Sequence, residues 1–344
     1  MNSTELMLER DFAAEARETR ELVRDLHQTR AALYWTDLLV SAAAGWAAFA
    51  AACFFPLLSG GMLASAGIAV IFLYRGLCFV HEISHLDPRA LQGFEAVWNL
   101  LFGYPLLMPS FVYCGVHPNH HKLSTYGTKQ DPEYMAFATS SRMTVFFALE
   151  SFFIPLALLT RFLVLTPAGL ALPSFHRWLV VHASSLTMNV CYRRESTPEL
   201  LRSVRLHSAA VWALWVSGIA LAALHIIPWR IFAVWLLVSS FVSFINTLRT
   251  LGAHAYESEG EALDRQGQLL DSIDTPGAVW TELWAPVGLR YHALHHYFPG
   301  IPYHNLGAAH RRLVASLPST AAYHDSRSQS LAFSLHKLYR NGRR

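Results

Sequence analysis

Nine histidines fall in three short boxes and one isolated position: His81-Glu82-Ile83-Ser84-His85, His117-Pro118-Asn119-His120-His121, His254, and His292-Ala293-Leu294-His295-His296. On a helix, positions i, i+3 and i+4 lie within an arc of roughly 100°, so each box directs two or three imidazoles to one side. Pro118 disfavours the αR region for the residue before it, which places His117 at the cap of the second box's helix. Neutral imidazole serves zinc, copper, iron and nickel alike. A structural zinc closes at about four ligands and a catalytic zinc at about three plus water, so nine imidazoles imply two ions.

The elements that must carry these boxes are those of a membrane protein, and that setting favours iron. Hydrophobic residues make up 53% of the chain and charged residues 15%, below the roughly 25% charged residues of a soluble domain. Four stretches approach the length needed to cross about 30 Å of hydrocarbon: Leu38 to Leu58, Met62 to Val80, Ser208 to Ile227 and Ile231 to Leu248. Arg75 and His225, near their ends, are tolerated by snorkelling or by facing protein. The short loops Ser59-Gly60-Gly61 and Pro228-Trp229-Arg230 join the stretches into two helical hairpins.

Two further apolar stretches, Ala96 to Tyr113 and Met143 to Leu172, fail a parity test. Boxes on both sides of the first must meet at one site, so the chain cannot cross the bilayer once between His85 and His117. Pro105 and Pro109 interrupt that stretch, and Pro155, Pro167 and Pro173 interrupt or bound the other. Both are expected as re-entrant or interfacial segments packed on protein. The alternative is a pair of crossings hidden in the second. The box side holds Arg89, Lys122, Lys129, Arg193, Arg194, Arg290, Arg311 and Arg312, against Arg230 alone in the hairpin loops. By the positive-inside rule the boxes are expected in the cytoplasm.

Residues 1–32 are expected as an interfacial or cytoplasmic helix, residues 33–315 as the membrane domain and residues 316–344 as a cytoplasmic tail at the membrane surface. The first of these shows no cleavable signal pattern. A net charge of +3 is too small to point to nucleic acid. Cys53, Cys78, Cys114 and Cys191 have no metal or disulfide spacing. The fold class that follows is an all-α integral membrane protein of four transmembrane helices, paired as two hairpins, with interfacial helices and a cytoplasmic histidine-box cap.

The order HExxH, HxxHH, lone His and HxxHH, two boxes after each hairpin, resembles the membrane fatty acid desaturase family from about Trp35 to Leu313. The flanks Gly127-Thr128-Lys129-Gln130-Asp131-Pro132-Glu133 and Leu248-Arg249-Thr250-Leu251-Gly252-Ala253-His254 are similar too, as is Trp284 to Tyr291. Phe298-Pro299-Gly300-Ile301-Pro302-Tyr303-His304-Asn305-Leu306 resembles bacterial members in particular. The resemblance implies two irons that activate O2 to desaturate a fatty acyl chain linked to CoA, a carrier protein or a lipid. The ligands it implies are His81, His85, His117, His120, His121, His254, His292, His295 and His296. It further implies membrane lipids as surroundings and a separate electron donor such as ferredoxin or cytochrome b5, for which Lys122, Lys129, Arg193, Arg194, Arg311 and Arg312 form a basic docking surface. Animal members hold one iron partly through an Asn, one turn before the lone histidine; that position is Thr250 here, and Asn246 lies two turns away.

Other readings share these residues. Hydroxylases of lipids or carotenoids use the same boxes, and a metal-sensing membrane protein would also need histidines. A zinc peptidase reading of His81, Glu82 and His85 leaves the other seven of the nine histidines without a role. Glu82, Asp87, Asp131 and Glu133 are candidates for orienting imidazoles through their second nitrogen, or are simple surface and capping carboxylates. His304 and His310 are expected to be structural. His27, His176, His182, His207, His225, His324 and His336 are assigned no metal.

Overall fold

The computed structural model describes residues 3–343, with side chains from Phe12 onward. Helix α1 (Ser3–Val23) lies on the box side, followed by α2 (Ala31–Phe54) and α3 (Gly60–His85). Ser59 starts α3 by accepting a hydrogen bond from the Met62 amide at 3.2 Å, and Pro88 lies just past its end. The two helices pack closely because Gly45 has no side chain: a Cβ there would meet Leu73 Cδ2 at 2.8 Å.

The stretch Ala96 to Tyr113 is broken as expected, into α4 (Phe94–Trp98), a π turn at Asn99–Gly103 and a 3-10 turn at Ser110–Val112. Irregular backbone between apolar helices needs partners for its carbonyls, and tryptophans provide them. Trp46 donates to Leu101 O, Trp215 to Tyr104 O and Trp235 to Pro105 O, at 2.8, 3.1 and 2.9 Å. Trp98 itself donates to Gly76 O at 2.8 Å. Helix α5 (His117–His120) carries the second box. It corrects one expectation: Val116, not His117, occupies the cap position, and His117 is the first helical residue ahead of Pro118.

Helices α6 (Ser141–Glu150), α7 (Ile154–Leu159) and α8 (Thr166–Ala171) follow one another through 3-10 and π turns as a single helical run, and α9 (Pro173–His182) turns back. Helices α10 (Pro198–Ala223) and α11 (Arg230–Leu251) follow, joined by a short connection. Five helical segments are thus long and apolar enough to cross a membrane among the described residues: α2, α3, Ser141–Ala171, α10 and α11. The fifth begins beside the C-terminus, where the Ser141 amide donates to Gly342 O at 3.0 Å. Halfway along it meets the middle of α11, Ser240 donating to Phe152 O at 2.9 Å. It ends near the start of α10, with Arg205 donating to Leu170 O at 2.6 Å.

Beyond α11 lie α12 (Arg265–Asp271), α13 (His292–Tyr297), α14 (Tyr303–Ser316) and α15 (Leu331–Asn341). The residues expected as a surface tail are partly built into this cap: Tyr323 is fully buried, and Asp274 accepts from its hydroxyl at 2.8 Å. Helix α1 is held there as well, Glu15 accepting from the Ala322 amide and Thr19 donating to the Tyr297 hydroxyl. Arg75 faces protein, paired with Asp37 and Glu282 at 2.5 and 3.1 Å.

Candidate metal centre

The last turn of α3, α5 with His121 just after it, His254 three residues past the end of α11, and α13 converge beyond the box-side ends of α3 and α11. They bring the nine histidines into two groups. His81, His85, His117, His121 and His295 form one; His120, His254, His292 and His296 form the other. Within each, one nitrogen per residue lies within 4.8 Å of every other. Second-box residues enter both groups because His117 and His121, one turn apart, share a side, whereas His120 is turned about 60–100° away from them.

The nitrogen spacing fits metal coordination. At a metal–nitrogen distance of about 2.1 Å, adjacent donors of an octahedron or tetrahedron sit about 3.0–3.4 Å apart. In the four-histidine group, His254 Nε2 lies 2.8 Å from His292 Nε2 and 3.3 Å from His120 Nε2, and His292 lies 3.1 Å from His296. In the five-histidine group, His295 Nε2 is 3.1 Å from His85 and 3.3 Å from His121, which is 2.9 Å from His117. Both ring nitrogens of His81 are buried without any partner, a costly arrangement unless something else binds them. Burial, then neighbouring imidazoles, holds His117, His121, His292, His295 and His296 well below the usual histidine range. They are therefore neutral and free to ligate.

Carboxylates stand behind several rings. His117 Nδ1 donates to Glu133 Oε1 at 2.7 Å, and burial pushes that carboxyl up to about 7. His120 Nδ1 donates to Asp131 at 2.9 and 3.0 Å. Burial alone would depress His120, but Asp131 outweighs it and raises the imidazole above its usual value. Of the four carboxylates considered from sequence, these two therefore touch the histidines. Glu82 instead accepts from the Tyr34 hydroxyl and the Tyr303 amide, and Asp87 accepts from the Arg89 amide on the surface.

Four supporting residues escaped the sequence reading. Tyr126 OH lies 2.9 Å from His254 Nδ1 and donates to Asp271 at 2.8 Å, while Gln268 Nε2 lies 3.3 Å from His296 Nδ1. Asp274 accepts from the Leu294 amide at 3.0 Å and so fixes the third box. The signal available was Leu269-Leu270-Asp271-Ser272-Ile273-Asp274, two acids set among apolar residues. His310 bonds the Tyr323 hydroxyl at 2.7 Å and His304 accepts from the Arg30 amide at 3.2 Å. Neither enters a histidine group.

A cleft of about 1060 Å³ of empty space, part of it open to solvent, abuts the five-histidine group at His81 and runs between α3, α11 and α7. Its walls are largely apolar, among them Leu77, Met108, Ile154 and Val242. Thr250 lines it, and the Asn246 oxygen accepts from Arg249 Nη2 at 2.9 Å. The basic surface expected for docking is smaller than its sequence suggests. Arg194 is buried, donating to the carbonyls of Phe111, Ser184 and Cys114, and Arg312 pairs with Asp25.

Among the described residues, the chain is helical, with five segments suited to a membrane and nine converging histidines that could hold metal, set against an apolar cleft. The chain belongs to the fatty acid desaturase family, whose sequence profile matches residues 59–328. It is 36% identical over 329 residues to a ceramide hydroxylase of Caulobacter vibrioides, covering 95% of this chain and 93% of that one. The chain is an oxidoreductase of this desaturase and hydroxylase family, and the weight given from sequence to desaturation is not carried by that relative.

Proposed function

We propose that the chain is a di-iron, O2-dependent hydroxylase of an amide-bearing membrane lipid. His81, His85, His117, His121 and His295 would hold one iron, and His120, His254, His292 and His296 the other. The observation that carries this is the meeting of the histidine groups with the apolar cleft, His81 belonging to both. Iron bound there supplies oxidation of an unactivated carbon–hydrogen bond by O2, which acid and base side chains cannot achieve. Leu77, Met108 and Val242 hold the lipid chain and exclude water, and Asp131 and Glu133 fix His120 and His117 in the tautomer that leaves Nε2 free.

The reaction takes one O2, two electrons and two protons, converts one C–H to C–OH and releases one water. Both electrons come from a separate one-electron donor such as ferredoxin or cytochrome b5, docking near exposed Lys122, Lys129, Arg193 and Arg311. Helices α2 with α3 and α10 with α11 are two transmembrane hairpins, and Ser141–Ala171 is a re-entrant run that dips beside the middle of α11 and returns. The boxes face the cytoplasm.

Hydroxylation is supported by the Caulobacter relative. Desaturation, the second reading, is supported by the family profile. It would consume the same O2 and electrons but take hydrogens from two adjacent carbons and release two waters. Expression in a host of known lipid composition, with mass spectrometry of its lipids, decides between them. A gain of one oxygen on ceramides is expected; a loss of two hydrogens on acyl chains would install the second reading. Elemental analysis is expected to find two irons per chain, and a single stoichiometric zinc would overturn both.

A further inference from the structure

The cleft is not uniformly apolar. Where it meets the metal centre it is lined by the Arg249 guanidinium together with Asn246, Thr250 and Glu133, one to two turns along α11 from the apolar Val242. Arg249 Nη2 donates to Asn246 Oδ1, Nε is buried with no hydrogen-bond partner, and the side chain makes no ion pair among the described residues. A guanidinium carries five N–H donors and cannot shed its charge. Leaving a buried guanidinium donor unfilled costs its desolvation. An oxygen acceptor arriving with the substrate removes that cost.

The other end of the cleft fixes the substrate's orientation. Beyond Leu77 and Val242 it continues into a smaller space lined by Leu106, Pro155, Leu158 and Ser239. From Arg249 to Ser239 is ten residues of helix, roughly 15 Å at 1.5 Å per residue. A lipid therefore lies with its hydrocarbon toward the middle of α11 and its polar group against Arg249, beside His81.

We propose that Arg249, held by Asn246, is the specificity residue of this enzyme: it binds the amide carbonyl of the lipid and so directs oxidation to a carbon within a few bonds of that amide. The proposal rests on the hydroxylase reading for the reaction, but not for the binding. The metal-free protein in nanodiscs is titrated with a short-chain ceramide and with an analogue in which an ether replaces the amide. The wild type is expected to bind the ceramide at least tenfold more tightly. Arg249→Met should lose roughly ten- to hundredfold for ceramide, the range of a charged hydrogen bond, and stay within about twofold for the analogue. Arg249→Lys should recover part of the loss. Equal losses for both ligands would make Arg249 merely structural and overturn the proposal, as would wild-type protein that binds the two alike. Should the variants not fold, the wild-type ratio and the product still decide. Tandem mass spectrometry is expected to find the new hydroxyl within about three bonds of the amide, and a mid-chain hydroxyl would overturn the proposal while leaving the hydroxylase reading intact. Desaturated product with the ligand preference preserved would overturn the hydroxylase reading alone.

Discussion

Replacing Asp131 by Asn tests whether a carboxylate behind the second box sets the metal affinity. Asp131 is fully buried. It accepts from His120 Nδ1 at 2.9 Å, from the Gly127 amide at 3.0 Å and from the Glu133 amide at 2.9 Å. The two amides address different oxygens, so either orientation of an Asn side chain turns an NH2 toward a backbone N–H. One buried donor is then unsatisfied, at a cost of about 1–3 kcal/mol, enough to lower the melting temperature but not to abolish the fold. Loss of the charge behind His120 weakens the ring as a ligand, and such supporting contacts are typically worth 10- to 100-fold in metal affinity or activity. The assay is iron release under increasing chelator, with turnover measured in parallel. Asp131→Asn is expected to lose the iron of the four-histidine group at roughly ten- to hundredfold lower chelator and to keep the other. Asp87→Asn, altering only a surface contact to the Arg89 amide, is expected to match wild type. Wild-type chelator resistance in a folded Asp131→Asn protein would refute the reasoning.

Further predictions follow from the same geometry. His254→Ala should retain one iron per chain and lose turnover, whereas exposed His182→Ala should retain both; two irons in the first variant would remove His254 from the ligand set. Gly76→Ala should lower thermal stability by about 1–3 kcal/mol through overpacking, because its Cβ would sit 2.0 Å from the buried Phe102 ring, and an unchanged melting temperature would contradict that packing. For the metal-free protein, burial lowers most of the histidines, so the unfolded chain takes up protons first as pH falls. Stability should be complete above the unfolded value of about 6.5 and decline below it. His120, which is raised, and the Glu133 carboxyl, pushed up to about 7, oppose this trend but are outnumbered, and a melting temperature flat between pH 7.5 and 5.5 would refute it.

What was legible in the sequence is what short spacing encodes. Ligands at i, i+3 and i+4 come together whenever a helix forms, and Asp131 and Glu133 lie close enough in sequence to the second box to be suspected. Loop signals likewise located the short connections after α2 and α10, and prolines the broken stretch Ala96 to Tyr113. What escaped depends on tertiary packing. Asp271 lies 3.5 Å from His254 Nδ1 and is also joined to it through Tyr126, which is 145 residues distant in sequence from Asp271. Arg194 has a basic side chain like Arg193 beside it, yet one is buried against three carbonyls and the other is exposed. Glu82 follows a boxed histidine and still turns away, since helical geometry sends adjacent residues about 100° apart and its own direction meets Tyr34 and Tyr303.

The unequal division of the histidines finds a reason in these distant contacts. Five imidazoles in one group have a single carboxylate behind them, Glu133 on His117, and His81, His121 and His295 leave Nδ1 without a partner. The group of four has Asp131 behind His120, Asp271 behind His254 through Tyr126, and Gln268 beside His296. A carboxylate hydrogen-bonded to the far nitrogen makes an imidazole a stronger donor, and its charge offsets part of the charge of a bound cation. On the proposed di-iron reading, the smaller group would thus offset one fewer imidazole with a second buried acid. An ion held there would have four imidazoles around it, and Thr250 on α11 offers no carboxylate or imidazole as a fifth.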